Sequence, residues 1–189
     1  MLKKFVQLSL LSGVLTLSAC VSSPKVDSNA PEQQRSGRFA VLVKDQANDR
    51  NKDSVQGGFI WLDQHDRLQL DLTSPMGSTI ARVQARLGSA TLTDSSGQTL
   101  EANNIDDLVQ QALNGSPLPV SGLRYWVLGQ LMPSPAASNV QKDAQGRLQS
   151  FKQNGWAVKV NNYDAQGPKH LNLESQKGTL KYKVQINVD

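Results

Sequence analysis

Any chemistry in this chain of 189 residues has to come from a short inventory of side chains. It holds two histidines, and one of them, His65, stands between Asp63 and Asp66. An imidazole beside a carboxylate is the pairing used for general acid–base work, because the carboxylate orients the ring and steadies its charged form. Here the three polar residues crowd into a predicted hairpin loop, where solvation is their ordinary fate. His170 lies at a predicted strand start, and neither histidine has a His, Cys or carboxylate at the spacing of a metal site. A Ser–His–Asp triad assembles in space and leaves no fixed spacing to read, but no nucleophile-elbow pattern argues for one. The GxxxxGK[ST] phosphate loop and the dinucleotide-binding glycine pattern are both missing from the sequence. The expectation is a protein that is not an enzyme and uses no cofactor. A hydrolase would need a nucleophile brought beside one of the two histidines.

The single cysteine, Cys20, offers a different chemistry. A lone cysteine is ordinarily a free or intermolecular thiol, with no partner for a disulfide. Its position argues otherwise. "MLKKFVQLSLLSGVLTLSAC" has two lysines, an apolar stretch from Phe5 to about Leu17, then small residues. That is the build of a bacterial export signal, too short for a stable membrane span. "LSAC" resembles a lipobox, so residues 1–19 read as a leader and Cys20 as a lipidation site. Two or more acyl chains, at ~0.8 kcal/mol per buried methylene, hold a protein on a bilayer where one chain is marginal. From Val21 to about Gln34 the chain is rich in Ser, Pro and Asn and lacks apolar periodicity, so residues 20–35 read as lipidated Cys and tether. The formal charge of +4 falls to near +2 once Lys3 and Lys4 leave with the leader. No basic run with interleaved aromatics points to nucleic acid.

Such a site would be positioned by a body beginning near Ser36, and there the dominant pattern has period two. Phe39, Val41 and Val43 share a face; so do Phe59 and Trp61, with Ile60 and Leu62 on the other side. Leu68, Leu70 and Leu72 follow, then Ala81 and Val83, then Ala90 and Leu92 before a turn at "DSSGQ". Asn154-Gly155 is a strong hairpin signal, leading into Trp156, Val158 and Val160. Leu171 and Leu173 precede a last strand from Leu180 to Val188. Ten or eleven short strands are expected, joined by turns too tight for parallel crossovers. Two helices interrupt them. "NNIDDLVQQALNG" has Asn104 as cap, aspartates in the first turn and Gly115 past the end. "SPLPVSGLRYWVLGQL" predicts a second, shorter helix carrying Leu123, Trp126 and Val127. This is a mainly β fold whose sheet curls far around, with helices filling or covering the open side.

Whether such a shell is solid or leaves room for a ligand does not follow from pattern. Trp61, Trp126 and Trp156 each suit a core, and wide aromatic faces also suit acyl chains. One feature fits neither use. "TSPMGST", residues 73–79, puts Met76 between Pro75 and Gly77 at the tip of a predicted hairpin, where a polar residue is usual.

Taken in order, the lipobox, the polar tether, "GRFAVLV", "GGFIWLD", "LDLTSPMGST", "LRYWVLG", "NGWAVKVNNYD" and the closing "LKYKV" resemble the LolB family of outer-membrane lipoprotein receptors. The likeness runs from Cys20 almost to the C-terminus, and its most specific pieces are the Pro-Met-Gly-Ser hairpin and the Leu-Arg-x-Trp-Val-Leu-Gly stretch. The resemblance implies a half-open barrel of about eleven antiparallel strands, lidded by short helices around a hydrophobic cavity in residues 36–189. It implies a monomer, anchored by lipid on Cys20 at the periplasmic face of the outer membrane. Such a receptor accepts lipoproteins from the periplasmic carrier LolA, binding their acyl chains without covalent chemistry, and releases them into outer-membrane phospholipid. The acyl-chain cavity would draw on Phe59, Trp61, Leu68, Leu70, Leu72, Val83, Trp126, Trp156 and Val158.

In that family an apolar residue at the tip of this hairpin is needed to place cargo in the membrane; leucine is usual, and the matching residue here is Met76. The change is small in size and polarity. Pro75 and Gly77 would set the turn, although Met76 could instead fold back on its own sheet. Val21, rather than aspartate, follows Cys20, which fits outer-membrane sorting. The alternatives are a lipidated barrel for some other small apolar ligand and a structural envelope lipoprotein with a filled core.

Overall fold

The computed structural model describes residues 33–189 apart from His65 and Asn114. The leader, Cys20, the segment up to residue 32 and His65 therefore lie outside the described residues. Eleven strands form one antiparallel sheet: β1 (Gln33–Asp45), β2 (Arg50–Gln64), β3 (Arg67–Thr73), β4 (Thr79–Arg86), β5 (Ser89–Asp94), β6 (Thr99–Ala102), β7 (Ser138–Lys142), β8 (Leu148–Gln153), β9 (Trp156–Tyr163), β10 (Pro168–Lys177) and β11 (Leu180–Val188). Helices α1 (Ile105–Ala112) and α2 (Val120–Trp126) come between β6 and β7. The spatial order is β6-β5-β4-β3-β2-β1-β11-β10-β9-β8-β7, so β6 and β7 are edges that do not meet. The barrel is half open.

Alternation drives this arrangement. The apolar member of each strand pair faces inward, and Phe39, Val41, Phe59, Trp61, Leu70, Leu72, Val83, Leu171, Leu173, Val184 and Ile186 are all buried in one core. Two glycines let the backbones of neighbouring strands come unusually close. A Cβ on Gly37 would lie 2.0 Å from the carbonyl oxygen of Asn187, and one on Gly57 would lie 2.2 Å from that of Thr73. Backbone comes this close only where no side chain intervenes. Replacing Gly37 with Ala should therefore destabilise the body by about 1–3 kcal/mol, read as a lowered denaturation midpoint at unchanged m-value. No shift in midpoint would show that this close approach has slack.

Local signals hold where they were strong. Asn154 and Gly155 both take positive φ, 49° and 76°, as a two-residue hairpin turn requires. The Asn104 side chain accepts a hydrogen bond of 2.7 Å from the Asp106 amide, capping α1. Within the described residues the first strand already includes Gln33 to Arg35, and Arg35 is drawn inward: its Nη1 donates to both oxygens of Asp164 at 2.9 and 3.0 Å, and its Nη2 donates to the Pro168 carbonyl. The edge strand β7 is exposed along its whole length, with Asn139 at φ 53° and an irregular register against β8. Such features blunt an edge against pairing with other chains.

Candidate functional site

The open side of the barrel is covered from above by α2 and the segments flanking it. Leu118, Leu123 and Val127 from this lid face Phe39, Phe59, Trp61, Leu70, Leu72 and Ile186 of the sheet across a hollow of about 20 Å³. Only apolar side chains line it. The space would hold about one water molecule and far less than an acyl chain. Larger grooves, up to about 750 Å³, are open and lined by mixed residues such as Lys152, Gln153 and Glu174.

Several polar contacts hold the lid down. Arg124 on α2 donates from Nε and Nη2 to the two carboxylate oxygens of Asp63 on β2, at 2.7 and 2.6 Å. Asp63 is buried there. Its proximity to His65 in sequence suggested a solvated loop residue; the structure instead places it in a two-pronged ion pair, because Arg124 reaches it from 61 residues away. Behind the helix, Trp126 Nε1 donates to Gln153 Oε1 at 3.0 Å, and Gln153 Nε2 donates to the carbonyls of Met132 and Pro135. The Trp126 ring also meets Phe151 edge to face, with centroids 5.8 Å apart. Ahead of the helix, Ser116 Oγ donates to Asp53 on β2.

The two helices are joined by Asp106, which accepts from the Ser121 amide at 2.8 Å and from the Ser121 hydroxyl. Burial raises the Asp106 pKa above the usual carboxylate value, against the opposing pull of those hydrogen bonds. The folded chain then holds this proton more tightly than the unfolded chain does. Stability from this group therefore falls as pH rises from the ordinary carboxylate range through the raised folded value. The Tm difference between Asp106→Asn and wild type should shift in favour of the variant over that interval. A difference that stays constant with pH would rule the linkage out.

At one end of the barrel, the β3–β4 hairpin carries Met76 at its tip, 96 % exposed. The Ser74 carbonyl accepts from the Gly77 amide at 2.9 Å, and the Ser74 amide donates to the Ser78 carbonyl at 2.8 Å. Pro75 supplies the first bend and Gly77 turns through φ 89°. The thioether therefore points to solvent and does not fold back on its sheet.

Of the residues expected around a cavity, Phe59, Trp61, Leu70 and Leu72 line the hollow. Leu68, Val83, Trp126, Trp156 and Val158 are buried in the core but do not line it. Phe39 and Ile186 share the same inward alternation and could have been added on that signal. Leu118 sits in a proline-flanked loop without a period, so no sequence signal marked it. Among the described residues no cluster of His, Cys, Asp or Glu could hold a metal ion. His170 has amides for neighbours, Asn187 Oδ1 at 2.8 Å from Nδ1 and Asn162 Nδ2 at 3.1 Å from Nε2. No described helix is long and apolar enough to cross a membrane.

An unclosed antiparallel shell whose central hollow is lined only by apolar side chains, under a helical lid, defines the class of protein to which this chain belongs. This chain belongs to the LolB family: the model described as outer membrane lipoprotein LolB matches residues 32–189. Similar relatives carry the name outer-membrane lipoprotein LolB. They include one from Bordetella petrii, 44 % identical over 91 % of this chain and 86 % of its own length. One from Bordetella pertussis is 45 % identical over 90 % and 85 %, and one from Cupriavidus necator is 35 % identical over 95 % and 92 %. A solved LolA superfamily protein from Nitrosomonas europaea aligns over 84 % of this chain and 85 % of its own, with a TM-score of 0.45 and 11 % identity; the assignment rests on the family match. The family is one of lipoprotein receptors and chaperones, not enzymes.

Proposed function

We propose that this protein is anchored by lipid on Cys20 to the periplasmic face of the outer membrane. There it takes lipoproteins from the periplasmic carrier LolA and inserts them into the bilayer. Family membership supports the general role, and the hollow under α2, lined only by apolar side chains, supports the acyl-binding part. A sixteen-carbon chain left in water costs on the order of 10 kcal/mol, from ~0.8 per methylene. Direct passage from one greasy interior to the next avoids that cost. With no nucleotide at hand, each transfer runs downhill, so this interior must hold the chains more tightly than the carrier, and the bilayer more tightly still.

In this reading the lid lifts to admit the chains, which displace its side chains from Phe59, Trp61, Leu70 and Leu72. The remaining candidates, Leu68, Val83, Trp126, Trp156 and Val158, form the wall that the opened space would expose. The test is to mix the protein with LolA carrying a labelled lipoprotein and to separate the two. Label moving to this protein, then to added liposomes, supports the role. Label that stays on the carrier, with an active carrier control, sinks it.

A further inference from the structure

We propose that the end of the barrel opposite Met76 is a second membrane contact, an anionic-lipid surface made by Arg67, Arg86 and Leu87. Leu68 pairs with Ala85 across β3 and β4, so the next residues outward, Arg67 and Arg86, stand opposite each other at the strand ends. Both are exposed, and neither guanidinium has an ion-pair or hydrogen-bond partner among the described residues. Like charges facing across strands destabilise a sheet. Further along the same outer face the charges are matched, with Arg82 donating to both oxygens of Asp71 at 2.7 and 2.8 Å. The unmatched pair is thus a local exception.

Beside it, Leu87 tops the β4–β5 turn, fully exposed, with Gly88 making the bend at φ 73°. A turn gains nothing from a leucine in water. Two free guanidiniums next to one protruding apolar side chain match a phospholipid surface: each guanidinium can fork onto phosphate oxygens, and the leucine reaches the acyl boundary. An outer hollow of about 500 Å³ joins both arginines to Gln64, Gln69 and Gln84; the amides of Gln69 and Gln84 are engaged within the sheet, donating to Asp71 and to Gln69.

Placement favours lipid over a protein partner. Gln33 pairs with Asp63, so the chain enters the body at this same end. A lipid on Cys20, thirteen residues before Gln33, would hold this end nearest the bilayer. Met76 lies at the far end of β3, roughly 20 Å away at ~3.4 Å per residue. The Leu87 end is then the resting contact and the Met76 end the delivering one. The stretch from Cys20 to Gln33 spans at most roughly 45 Å at ~3.3–3.6 Å per residue, enough for the body to turn over.

Residues 33–189 contain every described strand, both helices and the whole core, so the chain from residue 21 without lipid keeps the body. Its binding is measured by sedimentation with phosphatidylcholine–phosphatidylglycerol vesicles against pure phosphatidylcholine. Expected are a salt-sensitive preference for the anionic vesicles, a roughly thirtyfold loss in R67Q/R86Q, retention in R67K/R86K, and a further loss with L87S. The double variant K142Q/K152Q removes the same charge from the β7–β8 region and should bind as wild type. Equal loss in that variant, no lipid preference, or undiminished binding by R67Q/R86Q would overturn the proposal. If R67Q/R86Q binds vesicles normally but takes cargo from the loaded carrier more slowly, the surface belongs to a protein instead.

Discussion

With Met76 changed to glutamate, the protein is expected to load cargo from the carrier at the wild-type rate and to fail in passing it to liposomes. The two halves separate because Met76 sits on a hairpin that projects from one end of the barrel, away from the hollow under α2. Nothing in the cavity lining changes. At the tip, by contrast, burying a methionine side chain in the leaflet gains about 1.5–3 kcal/mol. Glutamate forfeits that gain and adds the cost of stripping water from a carboxylate. Engagement of the bilayer should fall by at least tenfold to a hundredfold, at about 1.4 kcal/mol per factor of ten.

Folding is spared, since the exposed thioether contributes little to the core and the turn rests on Pro75, Gly77 and the Ser74 hydrogen bonds. Met76→Leu should deliver normally, because it keeps the apolar bulk. Delivery by the glutamate form at the wild-type rate would leave the exposed methionine without a function.

How far the sequence disclosed this molecule depends on the range of the interactions concerned. Strands of a sheet with one wet face announce themselves by alternation, which is why β1 to β5 and β9 to β11 were readable from Phe39, Leu70, Val158 and their neighbours. The same logic hides β7: "SNVQK" is exposed on both sides, so no inward residue marks a period. Met76 could be read as anomalous for its place, since a tight Pro-x-Gly turn is a local property. Asp63 could not be read correctly, because its partner lies on another element 61 residues on. The size of the hollow was beyond reach for a similar reason. It depends on how closely Leu118, Leu123 and Val127 settle onto Trp61 and Leu72, which is decided by packing and not by pattern.

That packing leads to the other large expected effect. Acyl chains cannot enter about 20 Å³, so under the proposed function binding passes through a state with α2 lifted from the sheet. Apparent affinity is then the intrinsic affinity scaled by the fraction of open molecules. The bidentate contact from Arg124 to Asp63 exists with the lid down and opposes opening. Hydrogen bonds between charged groups contribute about 1.5–3 kcal/mol. With the Arg124 side chain 32 % exposed, solvent screens the pair, and on the order of 1 kcal/mol is a fairer figure.

Arg124→Gln should therefore bind a fluorescent fatty acid about fivefold more tightly, at about 1.4 kcal/mol per factor of ten, while melting slightly lower. Most interface substitutions weaken binding, so the sign is what discriminates. Asp63→Asn should shift affinity in the same direction, and the double variant should gain less than the two single gains together, because both remove one contact. If either single variant bound the fatty acid no better than wild type, this ion pair would not hold the gate, and the route into the interior would have to lie elsewhere along the gap between β6 and β7.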